Sequence, residues 1–247
     1  MNRLRVGNFT SSEIGKLMKK SKSGGFGAPA LTYIEEKNME RRLGRSLGND
    51  QSSKPTTWGT FMETRVFSML GDDYKACSTE TITHPGIPFW SGSADGHKDN
   101  KETVFEVKCP MTLKSFCHLV QPLYDGLKTI SAMDKIRELH DKGDEYYWQI
   151  VSNAVLAGSK YGELVVYCPY QSELDEIRTQ SLMSDAGWIV GADDKELPYL
   201  IDNGYYKNLN KIRFEIPEED KSLLTNTVLE AGKLLQKQYD QDKIPGR

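Results

Sequence analysis

Two opposite charges interrupt a short apolar segment near the middle of the chain, and this pattern constrains the fold more than any other. The segment Thr103–Cys109 is typical of a buried β-strand, yet it carries Glu106 and Lys108. Residues two apart on a strand project from the same face, so these side chains lie side by side. Asp95 ends the preceding predicted strand, and a hairpin between the two strands would bring its carboxylate to the same place. The pattern therefore predicts two carboxylates and one ammonium group converging on a sheet.

Such a group of side chains has a specific chemical use. Mg²⁺ takes one or two protein carboxylates together with phosphate oxygens. The bound ion polarises a phosphodiester and lowers the pKa of a bound water, while a nearby lysine orients or deprotonates that water and stabilises developing charge. The alternative is a solvated sheet face. Two other Glu-x-Lys patterns, at Glu35–Lys37 and Glu219–Lys221, lie in charged helical segments, where a solvated helix face is the natural interpretation. The strand context and the nearby Asp95 favour the chemical interpretation.

Helical and strand patterns alternate along the chain and predict an α/β fold with a small central mixed β-sheet flanked by helices. Polar, glycine-containing loops are expected at 22–30 and 44–56. Predicted helices cover 11–21, 31–43, 58–70, 113–158 with breaks near Pro122 and Gly143, and 217–239. Predicted strands cover 79–84, 87–93, 103–109, 164–168 and 211–216. We expect one domain over 1–247, with its motifs in 5–168 and an extension of unknown role at 170–247.

The composition excludes several classes of protein. The chain has 247 residues with 32 Lys and Arg against 35 Asp and Glu, a net charge of −3, so binding of DNA by a uniform basic coat is not expected. No apolar run approaches the ~18 residues of a membrane helix, and the first residues lead into no signal-peptide core. The four cysteines form no CxxC pair, which favours reduced thiols and a cytoplasmic location.

Asp95 followed by Glu106-x-Lys108 resembles the PD-(D/E)xK nuclease signature. The longer string Ser93–Gly96 with Phe105–Pro110 resembles the phage lambda-type exonuclease branch of that superfamily, the viral recombinase nucleases. Three further segments fit this branch in the expected order. They are the N-terminal element Arg5–Ser12, the helix start Trp58-Gly59 with its acidic residue Glu63, and the helical segment Tyr146–Gln149.

The resemblance implies a restriction-endonuclease-like core and a 5′→3′ exonuclease that uses one or two Mg²⁺ ions, with Mn²⁺ able to substitute. Asp95 and Glu106 would bind the metal, with Glu63 as a further carboxylate and the Val107 carbonyl as a backbone ligand. Lys108 would activate or orient the attacking water.

Gln149 would assist Lys108 by positioning it or the water. Two alternatives stay open at this point. Glu63 would form a salt bridge with Arg65 or another cation, and Gln149 would be a core amide bonded to backbone.

Arg5 and Ser12 suit phosphate binding on physical grounds that do not depend on the resemblance. A helix start offers free backbone N–H groups to a phosphate, and an arginine adds a charge-assisted clamp. In the family this element holds the terminal 5′-phosphate of the duplex, and Lys16 would extend its positive charge along the DNA. The alternative is a plain helix cap with a surface arginine.

The resemblance also implies partners, and two alternative functions stay open beside it. The substrate would be double-stranded DNA ends, digested to 5′-mononucleotides and a 3′ single strand. The protein would form a homo-oligomer, a trimeric ring, and work with a single-strand annealing protein, and no membrane is expected. The rivals are an endonuclease on the same scaffold and a catalytically silent DNA-binding subunit.

Overall fold

The computed structural model describes residues 5–48, 53–77, 80–126 and 129–241. Its strands are β1 (Phe9–Thr10), β2 (Lys75–Ala76), β3 (Ile82–His84), β4 (Ile87–Gly92), β5 (Gly96–Lys98), β6 (Thr103–Lys108), β7 (Tyr161–Tyr167) and β8 (Leu209–Glu215). Its α-helices are α1 (Ala28–Leu43), α2 (Lys54–Met69), α3 (Leu113–Tyr124), α4 (Thr129–Leu139), α5 (Gly143–Ala157), α6 (Leu174–Ser181) and α7 (Glu218–Gln241). Short 3₁₀ helices lie at Ser11–Met18, Gln171–Glu173, Gly187–Gly191 and Asp194–Glu196.

The described strands form two sheets rather than the single sheet that the sequence predicts. The larger has the order β2-β5-β6-β7-β8 and the smaller the order β1-β4-β3. In the larger sheet β6 and β7 run parallel, whereas β5 and β8 are antiparallel to their neighbours. The predicted α/β architecture of mixed sheet and flanking helices is confirmed. The division into two sheets escapes prediction because an alternating pattern identifies a strand without identifying its partner.

Alternate residues of β6 enter two different apolar clusters. Val104 belongs to the cluster that contains residues of α3 and α5, and Phe105 and Val107 belong to the cluster that contains Trp58 and Met62 of α2. Both faces of β6 are therefore covered by helices, as in the centre of an α/β sheet. Thr103 and Glu106 of β6 are therefore buried, whereas Lys108 at the end of the strand is partly exposed.

The predicted hairpin around Asp95 is wrong in its first strand. Asp95 follows β4, but β4 belongs to the smaller sheet, and the strand that pairs with β6 is β5, with Gly96 opposite Phe105. The segment 95–101, whose Asp, Gly and Asn residues favour a hairpin turn, is therefore partly strand. The true turn is Asp99–Lys101, whose three residues have φ of 54°, 53° and 76°. Asp and Asn tolerate this left-handed conformation better than most residues.

Two helices begin earlier than the sequence predicts. The helix expected from 31 starts at Ala28, and the helix expected from 58 starts at Lys54, each with a proline in its first turn. Proline is suited to that position because its missing N–H has no partner there in any helix. The predicted loops at 22–30 and 44–56 are correspondingly shorter. Part of the second, 49–52, lies outside the described residues.

The predicted helix at 11–21 is a 3₁₀ helix over Ser11–Met18. Its N-cap is Thr10 rather than Ser12, and Thr10 makes no side-chain capping bond. The helical pattern of 31–43 predicts Glu40 on the polar face of α1, and this prediction is wrong. Glu40 is buried, accepts the Gly7 N–H at 2.9 Å and pairs with Lys37 at 3.1 Å. A helical pattern does not predict the burial of Glu40, because the segment around Gly7 that bonds it is far away in the sequence.

The region after 170 contributes to the same sheet and core. β8 pairs with β7 over seven positions, and α7 contacts α1 and α5. The predicted helical region 113–158 consists of three helices, and Pro122 lies inside α3 rather than breaking it. None of the helices in the described ranges is long and apolar enough to cross a membrane.

Candidate active site

Glu106 and Lys108 face the α5 side of β6 and form a buried ion pair. The Lys108 Nζ lies 2.7 Å from Glu106 Oε1, and Glu106 is 3% exposed. The Lys108 ammonium also lies 5.0 Å from the centre of the Tyr146 ring. The predicted side-by-side placement on one strand face is therefore what the structure has, and the solvated-face alternative is wrong.

Helix α5 presents two amides to the Glu106 carboxylate. The Gln149 side-chain Nε2 donates to Oε1, so the alternative of a core amide bonded to backbone is wrong. One helical turn later, the Asn153 Nδ2 lies 3.5 Å from Oε2 and 3.4 Å from the Ser93 carbonyl. Sequence reasoning missed Asn153. Its signal is the four-residue spacing from Gln149, which places both on one face of α5.

Asp95 is held at the edge of β6 by the backbone. Its Oδ2 accepts the Val107 N–H at 2.7 Å. Val107 lies beyond the last β5–β6 pair, Gly96 with Phe105, so no residue of β5 is opposite it. The N–H and C=O of a strand residue point to the same side, so the Val107 carbonyl faces the same edge as Asp95. The structure thus brings Asp95, Val107 and the Glu106–Lys108 pair together.

Glu63 approaches this group from α2. Burial, and then the Asp95 carboxylate, raise its pKa to about 7, while Lys108 acts in the opposite direction. Arg65, the partner suggested by the sequence, turns away and bonds Glu173 at 3.0 Å and Glu176 at 2.8 Å. The predicted alternative of a Glu63–Arg65 salt bridge is therefore not formed.

The electrostatics of the site are those of crowded carboxylates around one lysine. Burial and then Asp95 raise the pKa of Glu106 to about 8, against the effect of Lys108. Burial and Lys108 act in opposite directions on Asp95, with a net rise in its pKa. Burial alone would lower the pKa of Lys108, but Glu106 and Asp95 raise it, so Lys108 is charged at neutral pH.

This donor set fits a hard divalent cation. Carboxylates that raise one another's pKa would be stabilised by a metal charge between them, and the Val107 carbonyl adds a neutral oxygen. Among the residues that the structure describes, no group of three or more Asp, Glu, His or Cys side chains already encloses an ion site. Instead Glu106 and Asp95 each bond a protein donor. Mg²⁺ needs only one or two carboxylates, so Asp95 and Glu106 suffice.

The N-terminal element brings Arg5 and Ser12 together. The Arg5 Nη2 lies 3.3 Å from the Ser12 Oγ, which in turn lies 3.4 Å from the Thr10 Oγ1. Lys16 is different from the prediction, because its Nζ pairs with Glu13 at 2.5 Å and this carboxylate offsets its charge. The structure thus gathers the predicted phosphate ligands Arg5 and Ser12 but places Lys16 in an ion pair.

The N-terminal element and the strand site share one helix. The Ser11 hydroxyl lies 2.8 Å from the Ser152 hydroxyl of α5, which also accepts the Trp90 indole N–H at 2.9 Å. Gly92 of β4 permits this approach, because a Cβ there would lie 2.0 Å from the Ser11 Oγ and 2.6 Å from the Asn153 Oδ1. Ser11, which begins the 3₁₀ helix, therefore contacts the helix that carries Gln149.

The fold is that of mixed α/β proteins in which helices flank a central sheet, with a carboxylate–lysine group on its β6 strand. The structure is similar to that of an alkaline exonuclease from Laribacter hongkongensis, with a TM-score of 0.59 and 18% identity over 96% of this chain and 92% of that one. A complex of that exonuclease with dAMP gives 0.59 and 17% over 97% and 93%. A phage-related exonuclease from Haemophilus somnus 129PT gives 0.57 and 15% over 95% and 94%.

The amino-acid sequence identifies the family. Residues 2–160 match the model of the YqaJ-like viral recombinase domain, and the chain therefore belongs to that family. The suspected kinship with phage-type recombinase nucleases is confirmed. No curated protein sequence matches the chain.

Proposed function

We propose that this protein is a Mg²⁺-dependent 5′→3′ exonuclease. It digests one strand of linear double-stranded DNA and leaves a 3′ single strand for recombination by strand annealing. The observation that carries the proposal is the buried Glu106–Lys108 pair beside Asp95, held by Gln149 on a helix that also contacts the N-terminal element. Membership of a viral recombinase family supports a role in DNA processing.

The proposed ligands follow from the donor set. Asp95, Glu106 and the Val107 carbonyl would hold the ion, with Glu63 as a further carboxylate, and Mn²⁺ is expected to substitute. When bound, the metal neutralises phosphodiester charge and lowers the pKa of water. This role is consistent with the raised pKa values of Glu63 and Glu106, because an added positive charge relieves their mutual repulsion.

Lys108 and Gln149 have different tasks in this proposal. Lys108 is charged at neutral pH, so it orients the attacking water and stabilises negative charge on the phosphate rather than removing a proton. Gln149 is a positioning residue that holds the Glu106 carboxylate through Oε1. Arg5 and Ser12 would bind the terminal 5′-phosphate, and their mutual contact at 3.3 Å would open to admit it.

One set of substrates tests the proposal. Linear, nicked and covalently closed circular duplexes are incubated with Mg²⁺, and the linear duplexes carry or lack a 5′-phosphate. We expect release of 5′-mononucleotides from linear DNA, faster with the phosphate, and intact closed circles. Cleavage of closed circles would identify an endonuclease instead. Binding of DNA and Mg²⁺ without any cleavage would identify a silent DNA-binding subunit.

A further inference from the structure

Asn153 of α5 has no task in the proposed function, although it contacts the segments that carry both proposed metal carboxylates. Its Nδ2 atom lies 3.5 Å from Glu106 Oε2 and 3.4 Å from the Ser93 carbonyl oxygen. Ser93 precedes Asp95 by two residues, and Glu106 lies on β6. The Asn153 residue is 3% exposed, so these contacts are made away from solvent. One buried amide therefore bridges the segment that carries Asp95 and the carboxylate of Glu106.

The two carboxylates belong to different parts of the sheet structure. Asp95 follows β4, which is in the smaller sheet, whereas Glu106 is in the larger one. Helix α5 contacts both β4 and β6. The Val107 N–H fixes one oxygen of Asp95 to the backbone of β6. The Asn153 amide adds a link from the end of β4 to the side chain of Glu106, so it bears directly on the distance between the two carboxylates.

The two amides of α5 hold different oxygens of Glu106. Gln149 Nε2 donates to Oε1, the oxygen that also accepts the Lys108 ammonium at 2.7 Å. Asn153 approaches Oε2 instead. A carboxylate that is held at both oxygens cannot rotate freely, so the orientation that it presents to a cation is set before the cation binds.

The Asn153 amide has one orientation that suits this position. Its Nδ2 faces two acceptors, and turning the amide over would place Oδ1 against the same two oxygens without a hydrogen between them. Among the described residues, nothing donates a hydrogen bond to the buried Oδ1. A Cβ added to Gly92 would lie 2.6 Å from this oxygen, so β4 closes the space behind the amide. The amide is thus held towards Glu106.

The unpaired oxygen argues against a purely structural role for Asn153. Burying an acceptor without a donor costs free energy, and the two Nδ2 contacts are near the long limit for hydrogen bonds, so they offset little of that cost. The other buried residues of α5 are mostly apolar, and an apolar side chain here would avoid the cost. The amide is therefore better explained by the site than by the core.

We propose that Asn153 is a positioning residue that sets the separation and orientation of the Asp95 and Glu106 carboxylates, and thereby the affinity of the site for a divalent cation. The inference rests on the proposed function for the identity of the ligand. Its task differs from that of Lys108, which acts on the reacting groups. Loss of Asn153 raises the Mg²⁺ concentration that the enzyme needs but leaves the chemical step largely intact once the site is filled.

Binding of Mn²⁺ to the full chain without DNA tests this inference and needs no cleavage. The free ion is followed by electron paramagnetic resonance at one fixed pH. Asn153→Leu keeps the branched shape and removes the amide, and Asn153→Ala removes the amide with a smaller side chain, which decides if leucine does not fit beside Gly92. We expect both variants to bind Mn²⁺ about tenfold more weakly or worse, the usual effect of removing a residue that orients a metal ligand.

Asn210→Leu is the matched control. Asn210 is also a buried asparagine, 6% exposed, but it lies on β8, and β7 separates that strand from β6. Its Oδ1 accepts the Tyr124 hydroxyl at 3.0 Å, and its Nδ2 donates to the Lys207 carbonyl at 2.8 Å. We expect this variant to bind Mn²⁺ as the wild type does. In EDTA it should melt at a lower temperature than Asn153→Leu, because it loses two shorter hydrogen bonds.

The Mg²⁺ dependence of nucleotide release from linear duplex gives a second measurement. For Asn153→Ala we expect the half-saturating Mg²⁺ concentration to rise about tenfold, while the rate at saturating Mg²⁺ stays within about threefold of the wild-type rate. The assay is run at a temperature at which circular dichroism shows all variants to be folded. A residue that only stabilises the fold would not separate these two quantities.

The outcomes distinguish this inference from the proposed function. If the Asn153 variants bind Mn²⁺ as tightly as the wild type, or no more weakly than Asn210→Leu, the inference is wrong and the proposed function stands. If the wild type binds Mn²⁺ but releases no nucleotide, the proposed nuclease activity is wrong, and the Mn²⁺ titrations still decide the role of Asn153. If the wild type binds no Mn²⁺, both are wrong, because there is no cation site for Asn153 to position.

Discussion

At the residue scale, Lys108 is the group whose chemistry is least replaceable. Its ammonium is held 2.7 Å from Glu106 and is charged at neutral pH. We expect Lys108→Ala to lower Mg²⁺-dependent nucleotide release by about 10²-fold or more, because it removes the group that orients water and stabilises charge. The rate of nucleotide release from linear duplex measures this effect. Lys135→Ala, at an exposed site, should retain the normal rate, and a fully active Lys108→Ala protein would contradict the assignment.

Glu63 makes a prediction about pH and stability. Its pKa in the folded protein is about 7, above the ordinary value of 4.5, so folding takes up a proton between these values. The metal-free protein therefore loses stability as pH rises from about 4.5 to 7. Glu63→Gln removes this ionisation. We expect the variant to melt a few degrees higher than the wild type at pH 8, about 2–4 °C for each 1 kcal/mol, and nearly equally at pH 4.5.

Thermal unfolding in EDTA at the two pH values measures this difference. Glu35→Gln is the matched control, because Glu35 is an exposed residue of a helix. If the Glu63→Gln variant is no more stable than the wild type at pH 8, the ionised Glu63 carboxylate does not destabilise the metal-free protein and its pKa is not raised. Its nuclease activity should fall in any case, since the proposed metal ligand is lost.

At the element scale, the N-terminal 3₁₀ helix is the part that would confer end recognition. Arg5→Ala should remove the preference for phosphorylated 5′ ends while leaving cleavage chemistry in place, because Arg5 lies beside Ser12 and not beside Glu106. The ratio of digestion rates with and without the 5′-phosphate measures this. Arg45→Ala, at an exposed arginine in the loop after α1, serves as the control. An unchanged ratio in the Arg5 variant would remove the phosphate-pocket assignment.

Gly92 determines how closely three elements meet. A Cβ at this position would come within 2.0 Å of the Ser11 Oγ and 2.6 Å of the Asn153 Oδ1, so β4 would have to move away from the 3₁₀ helix and from α5. We expect Gly92→Ala to lower the free energy of unfolding by about 1–3 kcal/mol, the cost of overfilling a tight core, and to slow nucleotide release by displacing Asn153. Chemical denaturation measures the first effect.

Gly59 provides the comparison for this substitution. It lies inside α2 with no atom within 4 Å of an added Cβ, so Gly59→Ala should be neutral or stabilising by up to about 1 kcal/mol. Equal stability of the two alanine variants would show that the contact at Gly92 is not limiting.

The sequence predicts some of these elements well, for physical reasons. The period of two in Thr103–Cys109 correctly places Glu106 and Lys108 on one face, and the last part of the predicted helical region 113–158 is helix α5. Asp95 is correctly placed near them but on the wrong strand, because local pattern does not encode pairing over distance. Asn153 escapes notice since a lone amide in an apolar helix has no chemical signature until its neighbour is known.

At the scale of the whole molecule, the trimeric ring and the annealing partner are still predictions from family resemblance. We expect a mass near three times 28.0 kDa by light scattering with size-exclusion chromatography at working concentration. A ring would retain a linear duplex through many cycles, so digestion should continue after excess competitor DNA is added. A monomer under these conditions would argue against the ring, and Glu35→Gln protein would show whether a neutral surface change affects assembly.

The bond between Asp95 and the Val107 N–H has a consequence for how relatives of this protein should be compared. This carboxylate closes the edge of β6 where β5 ends, so it stabilises the architecture whether or not catalysis occurs. Selection would keep it in a descendant that no longer cuts DNA. Lys108 makes no comparable hydrogen bond to the backbone, so it would be replaced by other residues once activity was lost. In an alignment of relatives, the residue at position 108 would therefore distinguish active nucleases from inactive ones better than the carboxylate at position 95 does.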